Sequence, residues 1–205
     1  GNGTYVVVGD AGAMFTSPDG SQWTSRSSNG IDLGGVAFGN GVFVSVNLNG
    51  AVSVSSDGVA WSSGGTPINL FDFPGLDFLN NQFVLWRGTQ VSVSSDGKSW
   101  SAPASHTAGT AIGNQASAIK GTYGNGVYVI GGFSGVAYSA NASTWTKAPL
   151  PTGRVDAIGF GNGRFVIQDA AKSVWTSTNG NNWTRATAFT TGVSSIAFGK
   201  GKFAG

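Results

Sequence analysis

The sequence contains no cysteine, no glutamate, one methionine and one histidine in 205 residues. Without cysteine there is neither a disulfide framework nor a thiolate metal site, and the redox compartment stays open. His106 has no second histidine or cysteine to join it as a metal ligand and reads as a solvated loop residue. Charged residues make up 10% of the chain, against about 25% in ordinary soluble domains, so solubility rests on Ser, Thr, Asn and Gly. The nine acidic residues are all Asp, and eleven Lys and Arg leave a net charge of +2. That balance reads as a field of small amplitude and excludes the basic stripe that nucleic acid requires. No segment approaches the roughly 20 apolar residues of a membrane helix, so membrane insertion is not expected. Gly1 is not an initiator Met, and the chain reads as processed, trimmed or part of a longer one. A surface so rich in Gly, Ser and Asn and so poor in charge points to an extracellular, cell-surface or virion location.

What is present is a repeat. The turn Ser-x-Asp/Asn-Gly-x-x-Trp occurs around Asp19, Gly20 and Trp23; Asp57, Gly58 and Trp61; Asp96, Gly97 and Trp100; Asn141 and Trp145; and Asn179, Gly180 and Trp183. Its tryptophans fall 38, 39, 45 and 38 residues apart, a period that suits radially repeated β-sheet units. A second motif precedes each turn: Gly1-Asn2-Gly3, Gly39-Asn40-Gly41, Gly124-Asn125-Gly126 and Gly161-Asn162-Gly163 each lead into an aromatic and β-branched run, with Leu79-Asn80-Asn81 as the odd copy. Asn-Gly between apolar runs predicts a hairpin, because both central residues of a type I′ turn need positive φ.

One unit therefore reads as strand A (Gly35 to Phe38), a Gly-Asn-Gly turn, strand B (Phe43 to Val46), a loop, strand C (Ala51 to Val54), the Ser-x-Asp-Gly-x-x-Trp turn, and strand D from Trp61. Four short antiparallel strands in about 40 residues make one propeller blade. Units begin near residues 1, 39, 79, 124 and 161, which predicts an all-β single domain over 1–205: a β-propeller of five four-stranded antiparallel blades. The chain opens on strand B and closes on strand A, so Ser194 to Phe198 is expected to pair with the sheet begun at Tyr5, closing the last blade from both termini. Residues 199–205 restart the repeat and compete for that place.

The five serine turns resemble the Asp-box, or bacterial neuraminidase repeat, of sialidases and lectin-like propellers. The whole unit is similar to repeats in bacterial surface proteins and in phage structural and tail proteins, and the resemblance covers essentially the entire chain. It implies a propeller in which the boxes hold the blades together at the face opposite the ligand site. Sialidases of this kind use three arginines, a Tyr nucleophile backed by Glu, and an Asp acid/base. The absence of Glu leaves the Tyr/Glu pair unassembled, and no catalytic residue is assigned.

Among candidate residues, the box aspartates could form a ring of cation ligands, but Asn at positions 141 and 179 keeps the acceptor and loses the charge, as a hydrogen-bonded turn allows. The box tryptophans read as wedges between sheets. No metal or other cofactor is implied. The B–C loops break the repeat: Gly9-Asp10-Ala11, Asn47-Leu48-Asn49, Trp86-Arg87-Gly88, Gly132-Phe133-Ser134 and Gln168-Asp169-Ala170. The D–A loops vary as well, with Phe71-Asp72-Phe73-Pro74 in the second and Ser101 to Ala118 in the third. Variation gathered at one face marks a binding face, and Trp86, Arg87, Asp10, Asn47, Phe133 and Asp169 supply the aromatic, cationic and polar mix that sugars need. The expected function is a non-catalytic carbohydrate-binding or adhesion module, acting on a surface glycan by multivalency. The alternative is a building block or decoration domain of a virion, phage tail or appendage, contacting other surface proteins, as an oligomer or within a longer chain. A glycoside hydrolase using Asp10 and Asp169 comes third. The fourth box has Ala142 where the others have Gly, which predicts strain there and a gain in stability on Ala142→Gly.

Overall fold

The computed structural model describes residues 1–26, 30–68, 74–87, 90–105, 120–150, 153–186 and 192–205. Residues 71–73, Gly88 and residues 106–118, with His106 among them, lie outside the described residues. Each period folds into an antiparallel sheet in chain order, because its turns are too short to skip a neighbour. The first sheet is β1 (Tyr5–Val8), β2 (Met14–Ser17) and β3 (Thr24–Arg26); the second is β4 (Leu33–Gly39), β5 (Val42–Asn47), β6 (Val52–Ser55) and β7 (Ser62–Gly65). The third is β8 (Pro74–Leu79), β9 (Gln82–Arg87), β10 (Gln90–Ser94) and β11 (Ala104–Ser105); the fourth is β12 (Lys120–Gly124), β13 (Val127–Gly132), β14 (Gly135–Ser139) and β15 (Thr146–Lys147). The fifth is β16 (Val155–Gly161), β17 (Arg164–Asp169), β18 (Val174–Ser177) and β19 (Thr184–Arg185), followed by the hairpin β20 (Ala197–Gly199) and β21 (Lys202–Ala204). Two compact units result, Gly1–Ala104 and Ser105–Gly205.

The second strand of each four-stranded sheet is its most buried, with hydrophobic residues on both faces. In the first unit Val44, Val46, Phe83 and Leu85 are sealed from solvent, and in the second Val129, Ile130, Phe165 and Ile167 are at 0% exposure or close to it. Each such side chain contributes roughly 1.5–3 kcal/mol of burial.

The Gly-Asn-Gly turns take the φ > 0 geometry that their sequence demands, with Asn40 at 47° and Gly41 at 80°, and Asn125 at 49° and Gly126 at 78°. Across each described A–B hairpin two aromatic rings meet: Phe38 with Phe43, Phe78 with Phe83, Tyr123 with Tyr128, Phe160 with Phe165 and Phe198 with Phe203, at centroid distances of 4.6 to 4.9 Å. The first ring of the pair also covers the backbone of the preceding sheet. A Cβ on Gly39 would lie 2.1 Å from the Phe78 ring, one on Gly124 would lie 2.3 Å from Phe160, and one on Gly161 would lie 2.0 Å from Phe198. The turn asparagine completes the seam. Asn40 Nδ2 donates to Asn81 O and Ser95 O of the next sheet at 3.1 and 2.9 Å, Asn2 repeats the pattern on Gly41 and Ser56, and Asn125 on Gly163 and Thr178.

The expected closure of one blade by both termini is not formed. β20 pairs with β21 through Lys200 (φ 49°) and Gly201 (φ 76°), and β1 carries no strand on its outer edge among the described residues. The physical reason is loop entropy: a two-residue hairpin turn closes at far lower cost than a loop of almost the whole chain. The first sheet thus has three strands rather than four.

The fourth serine turn holds Ala142 at φ 58°, in the left-handed region that the sequence predicts, but its methyl is buried at 3% exposure. Relief of a left-handed Ala, worth about 1–2 kcal/mol, is opposed by loss of a buried methyl, about 0.8 kcal/mol, and by the greater freedom of Gly in the unfolded chain. We expect Ala142→Gly to fall within about 1 kcal/mol of the parent in urea denaturation. Gly58→Ala should cost about 2 kcal/mol or more, since φ there is 78° and the new Cβ would lie 2.8 Å from Val6; parental stability in the Gly58→Ala variant would contradict this account. A second test separates crowding from conformation. Gly39→Ala should lose about 1–3 kcal/mol by displacing the Phe78 ring, whereas Gly199→Ala, with nothing within 4 Å, should change little; equal midpoints for the two variants would remove the aromatic-on-glycine contact as a source of stability.

Candidate functional site

Antiparallel order places the A–B and C–D turns of a sheet at one end and the B–C and D–A loops at the other. At the turn end, each serine turn is a closed hydrogen-bond set. In the second sheet Ser55 Oγ accepts from Gly58 N at 2.8 Å, Asp57 Oδ1 accepts from Val59 N and Ala60 N at 2.8 and 2.9 Å, and Trp61 Nε1 donates to Gly58 O at 3.1 Å. Asn141 Oδ1 and Asn179 Oδ1 accept the equivalent pairs at 2.9 to 3.0 Å. The carboxylates are consumed by their own turns, and the donors stabilise their charge. The N–H groups of Gln22 and Ser21 hold Asp19 well below the usual carboxylate range, those of Val59 and Ala60 lower Asp57, and those of Ser99 and Lys98 bring Asp96 down to about 2. The tryptophans differ in burial: Trp145 is 3% exposed, Trp23 43%. A cleft of about 330 Å³ lies here, between Ser55, Ser56, Ala60 and Ser62 of the second sheet and Asp96 and Lys98 of the third.

The loop end of Gly1–Ala104 is knitted by backbone. Leu33 N donates to Gly9 O at 3.1 Å, Leu48 N to Asp32 O at 2.9 Å, and Ala11 N to Asp32 Oδ1 at 2.6 Å. Asp10 is exposed in a short 3-10 turn, Asp10–Gly12. Three other residues expected to face a ligand do not. β9 runs through Trp86 and Arg87, which pair with Gly75 and Pro74 on one side and Val91 and Gln90 on the other, and both are 1% exposed. The Trp86 indole rests on Gly75, and Arg87 Nη2 donates to Leu48 O beneath the Gly50 turn. These are strand residues in the middle of a sheet, so their rings and charges serve packing. Asn47 ends β5 at 6% exposure, its Oδ1 accepting Asn49 N and Ala51 N at 3.0 Å, and so shapes its loop.

In Ser105–Gly205, Asp169 is likewise a loop-shaping residue, 4% exposed, accepting Ser173 N at 2.8 Å and Trp175 Nε1 at 2.9 Å. Phe133 is different. It sits half-buried at the tip of the β13–β14 loop, with the Arg154 guanidinium 5.8 Å from its ring centroid. Arg154 Nε donates to Asp156 Oδ1 at 2.6 Å, and Arg154 O accepts Ala170 N of the next B–C loop at 2.9 Å. The hydrogen bond and charge of Asp156 raise the Arg154 pKa further, so the guanidinium is permanently charged. Lys120 Nζ donates to Asp156 O at 3.1 Å and also to Ser194 O. Arg185 donates from Nη2 to Ser173 Oγ at 3.0 Å and so belongs to this end as well.

Of the six expected ligand residues, Asp10 is exposed at the loop end of Gly1–Ala104, and Phe133 is partly exposed at that of Ser105–Gly205, where Arg154, Asp156 and Lys120 join it. The missed set was legible in part: Arg154-Val155-Asp156 places opposite charges two apart on one face of a strand start.

No protein-family model and no curated protein matches the chain. Solved structures do. A GH74 enzyme from Niastella koreensis is 21% identical with a TM-score of 0.64, over 89% of this chain and 29% of that one. YCF48 bound to D1 peptide is 18% identical with a TM-score of 0.64, over 87% and 61%. The WD40 beta propeller domain of Doa1 is 12% identical with a TM-score of 0.65, over 97% and 69%. The chain thus spans less than two thirds of the first two. At such identities the likeness shows the fold alone: this is a β-propeller fold.

The serine turns make acid stability predictable. A carboxylate whose folded pKa is depressed contributes stability that is complete above its unfolded value, about 4, and lost as pH falls toward the folded one. The urea midpoint should be flat from pH 7 to about 5 and fall between about 4 and 2. The triple variant Asp19→Asn, Asp57→Asn, Asp96→Asn keeps the Oδ1 acceptors and should fall less steeply over that window; identical acid profiles for the two proteins would show that the turns are not the source.

Proposed function

We propose that the protein is a non-catalytic recognition module that binds saccharide at the loop end of its sheets, on a cell or virion exterior. The observation that carries this reading is the Phe133, Arg154 and Asp156 set. It combines an aromatic ring, a guanidinium and a carboxylate on loops that break the repeat, mounted on strands that keep it. An apolar ring beside fixed polar groups is what a sugar needs, because its C–H faces pack and its hydroxyls bond. A hydrolytic role has less support, since the chain has no glutamate and Asp169 is occupied by its own loop.

A second reading, assembly through protein contacts, is favoured by a specific surface. Tyr5 and Val7 of β1 and Phe15 of β2 share one face of the first sheet and are 56%, 48% and 38% exposed. YCF48, whose fold is similar, is bound to D1 peptide, so a peptide or protein partner is in keeping with a propeller of this kind.

A glycan array probed with the protein in multivalent form decides between them. Binding to one group of related oligosaccharides, weakened about tenfold by Phe133→Ala, is expected. Silence across the array from protein with an intact β-sheet circular dichroism spectrum would end the saccharide reading in favour of protein contacts.

A further inference from the structure

The formal charge divides unevenly between the two units. Gly1–Ala104 holds seven aspartates against three lysines and arginines, whereas Ser105–Gly205 holds eight lysines and arginines against two aspartates. The net +2 therefore conceals −4 in one unit and +6 in the other, and the small-amplitude field expected from composition is corrected accordingly.

In the second unit both acids are already engaged. Asp156 takes Arg154 Nε, and Asp169 takes Ser173 N and Trp175 Nε1. Arg154 is 49% exposed, and among the described residues its two terminal nitrogens donate to no protein acceptor. With Nε donating to Asp156 and Cζ 5.8 Å from the Phe133 ring centroid, the half-exposed guanidinium keeps its two terminal nitrogens for a ligand. That pair matches the two oxygens of a carboxylate in parallel hydrogen bonds. Lys172 lies two residues beyond Ala170, whose N–H is bonded to Arg154 O, so the adjacent loop brings an exposed second cation to the same end. Arg164, Lys200 and Lys202 sit at the opposite, turn end. At the loop end Lys120 and Arg185 already donate to Ser194 O and Ser173 Oγ, which leaves Arg154 and Lys172 for a short ligand carrying few charges.

We propose that the loop end of Ser105–Gly205 is an anion site for an acidic saccharide, in which Arg154 clasps a uronate carboxylate, Lys172 adds charge attraction, and Phe133 packs beside the sugar ring. This rests on the saccharide reading above and names its ligand class.

The test measures binding of the whole chain, in multivalent form, to three probes: a tetragalacturonate, the same oligosaccharide with its carboxyls reduced to alcohols, and a single-stranded oligonucleotide of similar charge. Galacturonate is expected to bind at least tenfold tighter than its reduced form at 50 mM NaCl, with the difference shrinking at 500 mM. Arg154→Ala should abolish most of that difference, Arg154→Lys should keep part of it, and Arg164→Ala should leave it intact. Arg154→Ala preserves the backbone carbonyl that Ala170 uses, and circular dichroism verifies its fold. Equal binding of the acidic and reduced sugars would overturn the anion site while leaving saccharide recognition standing. Binding of neither sugar would overturn the anion site while leaving saccharide recognition to the array, and tighter binding of the oligonucleotide would replace the acidic saccharide by nucleic acid. Equal losses from Arg154→Ala and Arg164→Ala would show general charge attraction in place of a site.

Discussion

The contact on which the architecture depends is an aromatic ring laid over a glycine of the preceding sheet. Phe78 over Gly39, Phe160 over Gly124 and Phe198 over Gly161 leave no room for a β-carbon. Each ring is simultaneously held by an aromatic across its own hairpin, so one side chain ties two strands of one sheet to the backbone of another. The spacing between sheets follows from this. A ring needs van der Waals distance from backbone, and only glycine lets two sheets come that close. Beside Gly39 and Gly124 the asparagine then finds two carbonyls within reach, and the seam there is polar as well as apolar.

This fixes a division of labour between the two ends of the sheets. The turn end is internally satisfied: serines, carboxylates or amides, and indole N–H groups of the five Ser-x-Asp/Asn turns bond within their own turns, which is why Asp and Asn interchange there. The loop end is free of the repeat because nothing in the seam constrains it. Its loops need only find backbone partners in their neighbours, as Leu48 does with Asp32 and Ala170 with Arg154. Chemistry specific to this protein can accumulate there without disturbing the stack.

Charge uses part of that freedom, through Lys120, Arg154 and Lys172 at the loop end of Ser105–Gly205. With charged residues at 10% of the chain, eight cations in one unit form a local excess that a whole-chain average erases. In a surface made mostly of Ser, Thr, Asn and Gly, an Arg held by Asp156 and Phe133 stands in little competition from other ions. On the proposed reading, a single fixed guanidinium would set the preference of that surface more than it would in an ordinary, densely charged protein.

Much of the architecture was determined by local sequence. Turn geometry depends on a residue and its immediate neighbours, so Asn-Gly at 40–41 and 125–126, the serine turns and even the left-handed Ala142 were legible one period at a time. The strands between them followed from their aromatic and β-branched runs and from the turns that bound them. Trp86, Arg87, Asn47 and Asp169 were not legible as interior residues, because whether a strand extends one residue further, and what covers it, depends on neighbouring sheets. The pairing of β20 with β21 was likewise decided by competition between a near partner and a distant one, a matter of loop entropy rather than pattern. The meeting of Phe133, Arg154 and Ala170 needed residues from three separate loops to be brought together, and that is the part only tertiary structure decides: sequence sets which turns form, whereas packing sets which turns touch.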